Sequence, residues 1–201
     1  MSGPFGSSQF MYATGALAEG SSLRFEDGDS AYLSWAPASA GNRKTWTWSG
    51  WVKRGNLGGT QTLFDGGASG PLTVLQLTSD QLRLYVSNAA ITSAEIPITS
   101  AVFRDPSAWY HVVCVLDTTE TSAANRVKFY INGVQQTVTG LTGTIIGLNG
   151  DLGINRNIAH NIGRYAYGSS SYLDGYLSDV YFIDGQALDA SSLVSLKKVY
   201  G

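Results

Sequence analysis

Residues 109–137 read WYHVVCVLDTTETSAANRVKFYINGVQQT, and the reading of this stretch decides the fold. Trp109 to Leu116 is apolar on both faces, the pattern of a strand covered on both sides. Arg126 to Ile131 alternates: Val127, Phe129 and Ile131 point one way, and Arg126, Lys128 and Tyr130 the other. Asn132-Gly133 follows, a pair suited to a type I′ turn because both central residues of that turn need positive φ. Val134 to Val138 is expected to return as a third strand. The loop Asp117 to Asn125 carries no apolar residue larger than alanine. Together these segments make a β-meander.

Outward from the meander, the same grammar repeats. Ser22 to Phe25 is a short alternating strand, Glu26 to Ser30 a turn, and Ala31 to Ser34 a second strand. Thr45 to Lys53 alternates strictly, with Trp46, Trp48, Gly50 and Val52 on one face and Trp51 on the other. Two tryptophans on one face bury roughly 200 Å² each. That face is therefore assigned to the inter-sheet core, with a sugar-stacking platform as the alternative. Further strands are expected at Gln61 to Asp65, Leu72 to Leu77 and Gln81 to Val86, with Ser79-Asp80 as a tight turn. Weaker ones are expected near Glu95 to Ile98, Leu152 to Ile154 and Ala159 to Gly163. Gly175 to Asp184 alternates Tyr176, Ser178, Val180 and Phe182 against Leu177, Asp179, Tyr181 and Ile183. Only the tail, Asp189 to Val199, reads as helix, with Asp189 as its cap and Leu193 and Leu196 at i, i+3. About twelve to fourteen short strands with frequent turns imply an all-β, two-sheet antiparallel sandwich of jelly-roll type.

Composition agrees. The 201 residues suit one β domain, with residues 21–201 as its extent. Hydrophobic residues make up 43% and charged residues only 14%, and the 24 glycines fit many turns rather than disorder. A formal charge of −2 argues against a nucleic-acid partner. No run approaches the ~20 apolar residues of a membrane span. No basic region followed by an apolar run marks a signal peptide. The single cysteine, Cys114, lies within an apolar strand and reads as a small buried hydrophobe. His111 stands at an odd offset from it, on the opposite strand face. Without an internal disulfide the core alone must hold the fold, which suits a reducing cytosol. Residues 1–20 are rich in Gly, Ser and Ala. They read either as a disordered leader or as a flexible arm that docks on a partner through Phe5, Phe10, Met11 and Tyr12.

Four blocks carry a family resemblance. Leu23-Arg24-Phe25-Glu26-Asp27-Gly28-Asp29-Ser30-Ala31-Tyr32-Leu33 resembles the opening strand pair of laminin G-like, concanavalin A-like jelly rolls. Trp46 to Val52 resembles a strand that follows it. Trp109 to Val113 with Phe129 to Gly133 resembles the central meander, and Asp174 to Val180 the closing strand. The wording SLRFEDGDSAYLSW (22–35), GNRKTWTWSGWVKRGNL (41–57), FRDPSAWYHVV (103–113) and YFIDGQAL (181–188) is similar to the version carried by structural proteins of marine bacteriophages. The resemblance implies a virion component of capsid, fibre or tail, assembled in the host bacterial cytoplasm. Such a protein would dock through its N-terminal arm on other virion proteins, form homo-oligomers and display its domain toward host-surface glycans.

Three kinds of site follow. Glycoside hydrolases of this fold carry Glu-x-Asp-x-x-Glu on one strand, where two carboxylates share a face. Glu19, Glu26, Glu95 and Glu120 are in no such pattern, His111 and His160 lack a motif, and no serine sits in a nucleophile elbow. No catalytic residues are expected. The resemblance implies a Ca²⁺ site where the first and last strands meet, carried onto Asp29 and Asp179, with Asp27 and Asp174 as alternatives. The competing reading makes Asp27 and Asp29 turn formers. Finally, Arg164 to Tyr172 offers Tyr165, Tyr167 and Tyr172 among small polar residues, chemistry suited to stacking a sugar or to a protein contact.

Overall fold

The computed structural model describes residues 21–193. The arm residues Phe5, Phe10, Met11 and Tyr12, and Leu196 of the expected tail helix, lie outside the described residues. The strands are β1 (Leu23–Phe25), β2 (Leu33–Trp35), β3 (Thr45–Arg54), β4 (Gln61–Asp65), β5 (Thr73–Thr78), β6 (Gln81–Ser87) and β7 (Ala94–Glu95). They continue as β8 (Ile98–Thr99), β9 (Trp109–Asp117), β10 (Val127–Ile131), β11 (Val134–Gln135), β12 (Val138–Thr139), β13 (His160–Ile162) and β14 (Gly175–Asp184). One six-stranded sheet runs β1-β14-β3-β9-β10-β11. An eight-stranded sheet runs β12-β8-β6-β5-β4-β13-β2, with β7 paired to β6. All pairings are antiparallel. This is the expected jelly roll, and its first and last strands are neighbours through Leu23 and Leu177.

The core lies between the sheets, where the alternating residues meet. From the six-stranded sheet come Trp46, Trp48 and Val52, then Val112, Cys114 and Leu116, then Val127, Phe129 and Ile131. From the other come Phe64, Leu75, Leu77, Leu82, Leu84 and Val86. Trp46 and Trp48 are 0% exposed, so they are core and not a sugar platform. At ~25 cal/mol/Å², each buried indole contributes at most about 5 kcal/mol. Neither indole N–H finds an acceptor among the described residues, which offsets part of that. Gly50 makes room for Trp48: a Cβ there would stand 2.9 Å from its ring.

The turn of the meander forms as read. Asn132 and Gly133 take φ of 51° and 82°, as a type I′ turn requires. Both faces of β9 are covered. Cys114 faces the sandwich, while Val113 and Val115 on the other face, with Tyr130 of β10, are covered by Leu188, Ala190 and Leu193. The chain reaches that face through a capped turn, in which Asp189 Oδ1 accepts the Ser192 N–H at 2.9 Å and residues 190–193 begin a helix. No helix of the described residues is long and apolar enough to cross a membrane.

Five local readings need correction. Val134 to Val138 is not one strand: β11 ends at Gln135, and β12 joins the other sheet by pairing with β8. Arg126 does not open the alternating strand: β10 begins at Val127, while Arg126 closes the 3₁₀ turn Ala123–Asn125 in αR conformation and its guanidinium turns inward. Pro97 splits the expected strand at Glu95 to Ile98 into β7 and β8. Residues 152–154 are buried but form no strand. In β14 the register shifts between Ser178 and Tyr181, with Asp179 at φ 48°. This bulge inserts a residue, so Leu177 and Phe182, which strict alternation would place on opposite faces, both reach the core.

Candidate functional site

The outer face of the eight-stranded sheet is built by the same alternation that fills the core. Leu82, Leu84 and Val86 of β6 point in, so Arg83 and Tyr85 point out. Pairing carries the outward row across the sheet. Arg83 lies opposite Gln76, and Tyr85 opposite Val74, on β5. Gln76 then faces Thr62, and Val74 faces Asp65, on β4, while Asp65 faces Asn161 on β13.

The tyrosine-rich loop lies over this row and is held to it. Ala166 N–H donates to Asp65 Oδ2 at 2.5 Å, and Thr62 N–H donates to the Ser171 carbonyl at 2.9 Å. Tyr165 and Ser170 exchange two backbone bonds of 2.9 and 3.2 Å. Arg164 Nη2 reaches Asn161 Oδ1 at 3.2 Å. Such bonding at both ends makes the loop a fixed shape rather than a floppy one. Asp65 is fully buried, and burial pushes its carboxyl up to about 6 against the bonds from Ala166 and Gly67.

The loop presents rings. Tyr165 and Tyr167 lie 6.1 Å apart, and Tyr167 is 53% exposed. Burial pushes the Tyr165 phenol up to about 12, with Tyr85, Asp65 and Tyr167 close enough to add to it. The Arg164 guanidinium stacks 3.6 Å over the Tyr32 ring, and Arg83 sits 6.0 Å from the Tyr85 ring centre. Two of the three tyrosines expected from the sequence thus form a pair, and Tyr172 is half-buried at the loop's far end. Tyr32, Arg83 and Tyr85 did not stand out in the sequence. The available signal was the polar side of the alternation in β6, which resembles any solvated face.

A second cluster stands on the rim where β1 and β14 meet. Carboxylate oxygens of Glu26, Asp27 and Asp174 all lie within 4.8 Å of one another. This brings together the two alternative ligands, Asp27 and Asp174, and adds Glu26, while Asp29 and Asp179 are not members of the group. Arg24 donates to Glu26 at 2.6 Å, and Asn56 Nδ2 to Asp27 at 3.3 Å. Burial first, then the charges of Glu26 and Asp27, raises the Asp174 carboxyl. An all-oxygen donor set crowded enough to raise one member suits a hard divalent cation such as Ca²⁺.

The remaining reactive groups are committed to the scaffold. Burial pushes the Cys114 thiol far up. His111 pairs with Ser49 Oγ at 2.9 Å and lies tilted against the Trp51 ring, 5.0 Å between centroids. His160 Nε2 accepts the Asn155 N–H at 2.8 Å, so the proton sits on Nδ1 and is given to the Ile158 carbonyl at 2.9 Å. Burial pushes this imidazole down to about 4. Glu95 accepts four backbone N–H groups, from Thr142, Gly143, Ile145 and Ile146, at 2.6–2.9 Å. Asp80 accepts from Arg54, Gly58 and Arg104 at 2.6–2.9 Å, and these bonds hold it at about 2. A shallow cleft of about 350 Å³ along Gln135 to Val138 lies by the crossover between sheets and is lined by no titratable side chain.

A model of the concanavalin A-like lectin/glucanases superfamily, laminin G type, matches residues 27–193. The chain belongs to this superfamily. Its fold is similar to that of a native heptameric SAP-like pentraxin from Limulus polyphemus, with TM-score 0.54 and 20% identity over 82% of this chain and 73% of that one. It is also similar to the CBM40 of a Ruminococcus gnavus IT-sialidase bound to α2,3-sialyllactose, with TM-score 0.56 and 12% identity over 83% of this chain and 97% of that one. Domains LG4-5 of the mouse laminin α1 chain give TM-score 0.55 and 11% identity, over 84% of this chain and 44% of that one. At these identities the likeness is one of fold. A sequence comparison with curated proteins gives no match.

Proposed function

We propose that this chain is a non-enzymatic carbohydrate-recognition domain, and that it serves on a bacteriophage particle, bound to virion subunits and turned toward host-surface glycans. The observation that carries the carbohydrate reading is the tyrosine loop: a hydrogen-bonded platform with Tyr167 half open to solvent and Tyr165 beside it, over a sheet face rich in Gln, Thr and Arg. Flat rings above fixed donors and acceptors are what a sugar needs, one for its C–H face and the other for its hydroxyls. The fold-mate from Ruminococcus gnavus, bound to sialyllactose, supports the same reading.

Two features favour binding without catalysis. Glu95 has all four of its backbone bonds within the scaffold, and Asp65 is buried beneath the loop. Glu26, Asp27 and Asp174 would hold Ca²⁺, which would add rigidity to the rim and a charge for an anionic or hydroxyl-rich ligand. The virion role rests on the wording shared with phage structural proteins and on the arm carrying Phe5, Phe10, Met11 and Tyr12.

A panel of immobilised oligosaccharides, read with the intact chain and with Tyr167→Ala, tests the carbohydrate reading. Binding that falls about tenfold in the variant, a loss of about 1.4 kcal/mol, supports it. The absence of any hit contradicts it. The virion role is tested by expressing chains with and without residues 1–20 alongside the particle's other proteins. Loss of incorporation with the fold intact is expected, and full incorporation of the shortened chain would refute the arm.

A further inference from the structure

Arg83 differs from three other arginines that are buried or half-buried, Arg54, Arg126 and Arg156. Arg54 is paired with Asp80 at 2.8 Å. Arg126 gives its guanidinium to the carbonyls of Glu120, Thr121 and Ile146 at 2.9–3.1 Å. Arg156 spends its own on the carbonyls of Gly153, Gly70 and Ser69. Each of these closes a loop. Arg83 places Nε and Nη2 on one neutral acceptor, Gln76 Oε1, at 3.1 and 2.8 Å. No carboxylate of the described residues pairs with it, and the ionisable groups that act on it are the phenols of Tyr85 and Tyr165. Burial lowers its pKa. A half-buried guanidinium with no anion pays desolvation without recovering it, and its planar fork fits a carboxylate or sulfate in two bonds.

The position supplies a use for that cost. Arg83 stands on the same outer face as Tyr85 and the loop that carries Tyr165 and Tyr167. A sugar stacked on Tyr167 would bring an acidic substituent toward the guanidinium. The Gln76 oxygen holds the fork in place, so little rotamer freedom remains to be lost on binding. We propose that this face recognises an acidic sugar, a ring bearing a carboxylate or a sulfate, with Arg83 pairing the anion and Tyr167 stacking the ring. This rests on the carbohydrate reading above and names its ligand class.

The experiment is calorimetric titration of the full chain with lactose, sialyllactose and a sulfated lactose. At least one acidic sugar is expected to bind about tenfold or more tighter than lactose, the size of a charge-assisted hydrogen-bonded contact. The acidic sugar that shows the preference identifies the anion. Arg83→Gln should remove the preference by weakening the acidic sugars far more than lactose, while Tyr167→Ala should weaken all three. Raised salt should narrow the gap. Equal binding of neutral and acidic sugars by the unaltered chain, or a preference that survives Arg83→Gln, overturns the proposal while leaving carbohydrate binding intact. Failure to bind any sugar overturns both. If Arg83→Gln does not fold, Arg83→Lys takes its place: it keeps a charge but not the fork, and an undiminished preference in that variant counts against the proposal.

Discussion

Glu95 holds together a stretch that has no regular structure of its own. Its carboxylate is 5% exposed and accepts four N–H groups from residues 142–146 at 2.6, 2.7, 2.8 and 2.9 Å. Ile146 from that stretch is fully buried in the core, and Arg126 from the meander donates to its carbonyl at 2.9 Å. Glu95 and Arg126 together therefore tie this loop to both sheets. Glu95→Ala leaves these donors without their acceptor. Hydrogen bonds to charged groups contribute ~1.5–3 kcal/mol each, and such sets are not additive, so a loss of about 3–5 kcal/mol is expected. Glu95→Gln keeps one acceptor oxygen and turns an NH₂ toward the other two donors, for about 2–4 kcal/mol. Urea unfolding followed by tryptophan fluorescence reads both, with an unchanged m-value showing that compactness is preserved. Burial alone would raise the Glu95 carboxyl, and the four backbone bonds outweigh it, so its pKa is lowered. Its contribution is complete above the ordinary glutamate range and is lost as pH falls through the folded value, so Glu95→Gln should also flatten the acid limb of the stability curve. A loss below about 1 kcal/mol for Glu95→Ala would refute the reasoning.

Three further outcomes follow from the geometry. His160 titrates at about 4 when folded against 6.5 when free, so its stabilising effect is lost as pH falls between those values. Asp65 is raised from 3.8 to about 6, so the folded state takes up its proton first and acidification over that window favours folding. Each is worth about 3 kcal/mol and the signs oppose, so Asp65→Asn should steepen the loss of melting temperature between pH 6.5 and 4, and an unchanged slope would contradict this. Ca²⁺ at millimolar concentration should raise the melting temperature, and Asp174→Asn should abolish the rise; a rise that survives the substitution would remove Asp174 from the site. Gly133→Ala should cost about 1–2 kcal/mol by unfolding titration, because its φ is 82° while a Cβ there meets nothing within 4 Å, so a neutral result would remove the type I′ reading.

The fold was legible because its longest strands keep a clean period of two. Trp46, Trp48 and Val52 could be placed in the core from spacing alone, as could Val127, Phe129 and Ile131. Where the period broke, the reading failed. Asp179 adds one residue to β14 without any glycine or proline to mark it, and Val134 to Val138 changes sheets inside a run that looks like one strand. The tyrosine loop was visible as composition, but its stiffness comes from Asp65 and Thr62, about 100 residues away in the chain. The resemblance brought Asp27 and Asp174 to one rim as alternative ligands, while Glu26, about 150 residues before Asp174, was missed. Arg83 was hidden differently. A charge on the polar side of an alternating strand looks solvated, and nothing in the sequence sets Tyr165 beside it.

The central claim is that the tyrosine loop and the face beneath it receive a sugar. Amide chemical-shift mapping of the isotopically labelled chain, titrated with sialyllactose, measures this most directly. Shifts are expected to gather at Tyr32, Arg83, Tyr85 and residues 164–167, with little change near Asp174 or Gln135. Shifts gathered instead at the acidic rim or the cleft by Gln135, or none at saturating sugar, would contradict it.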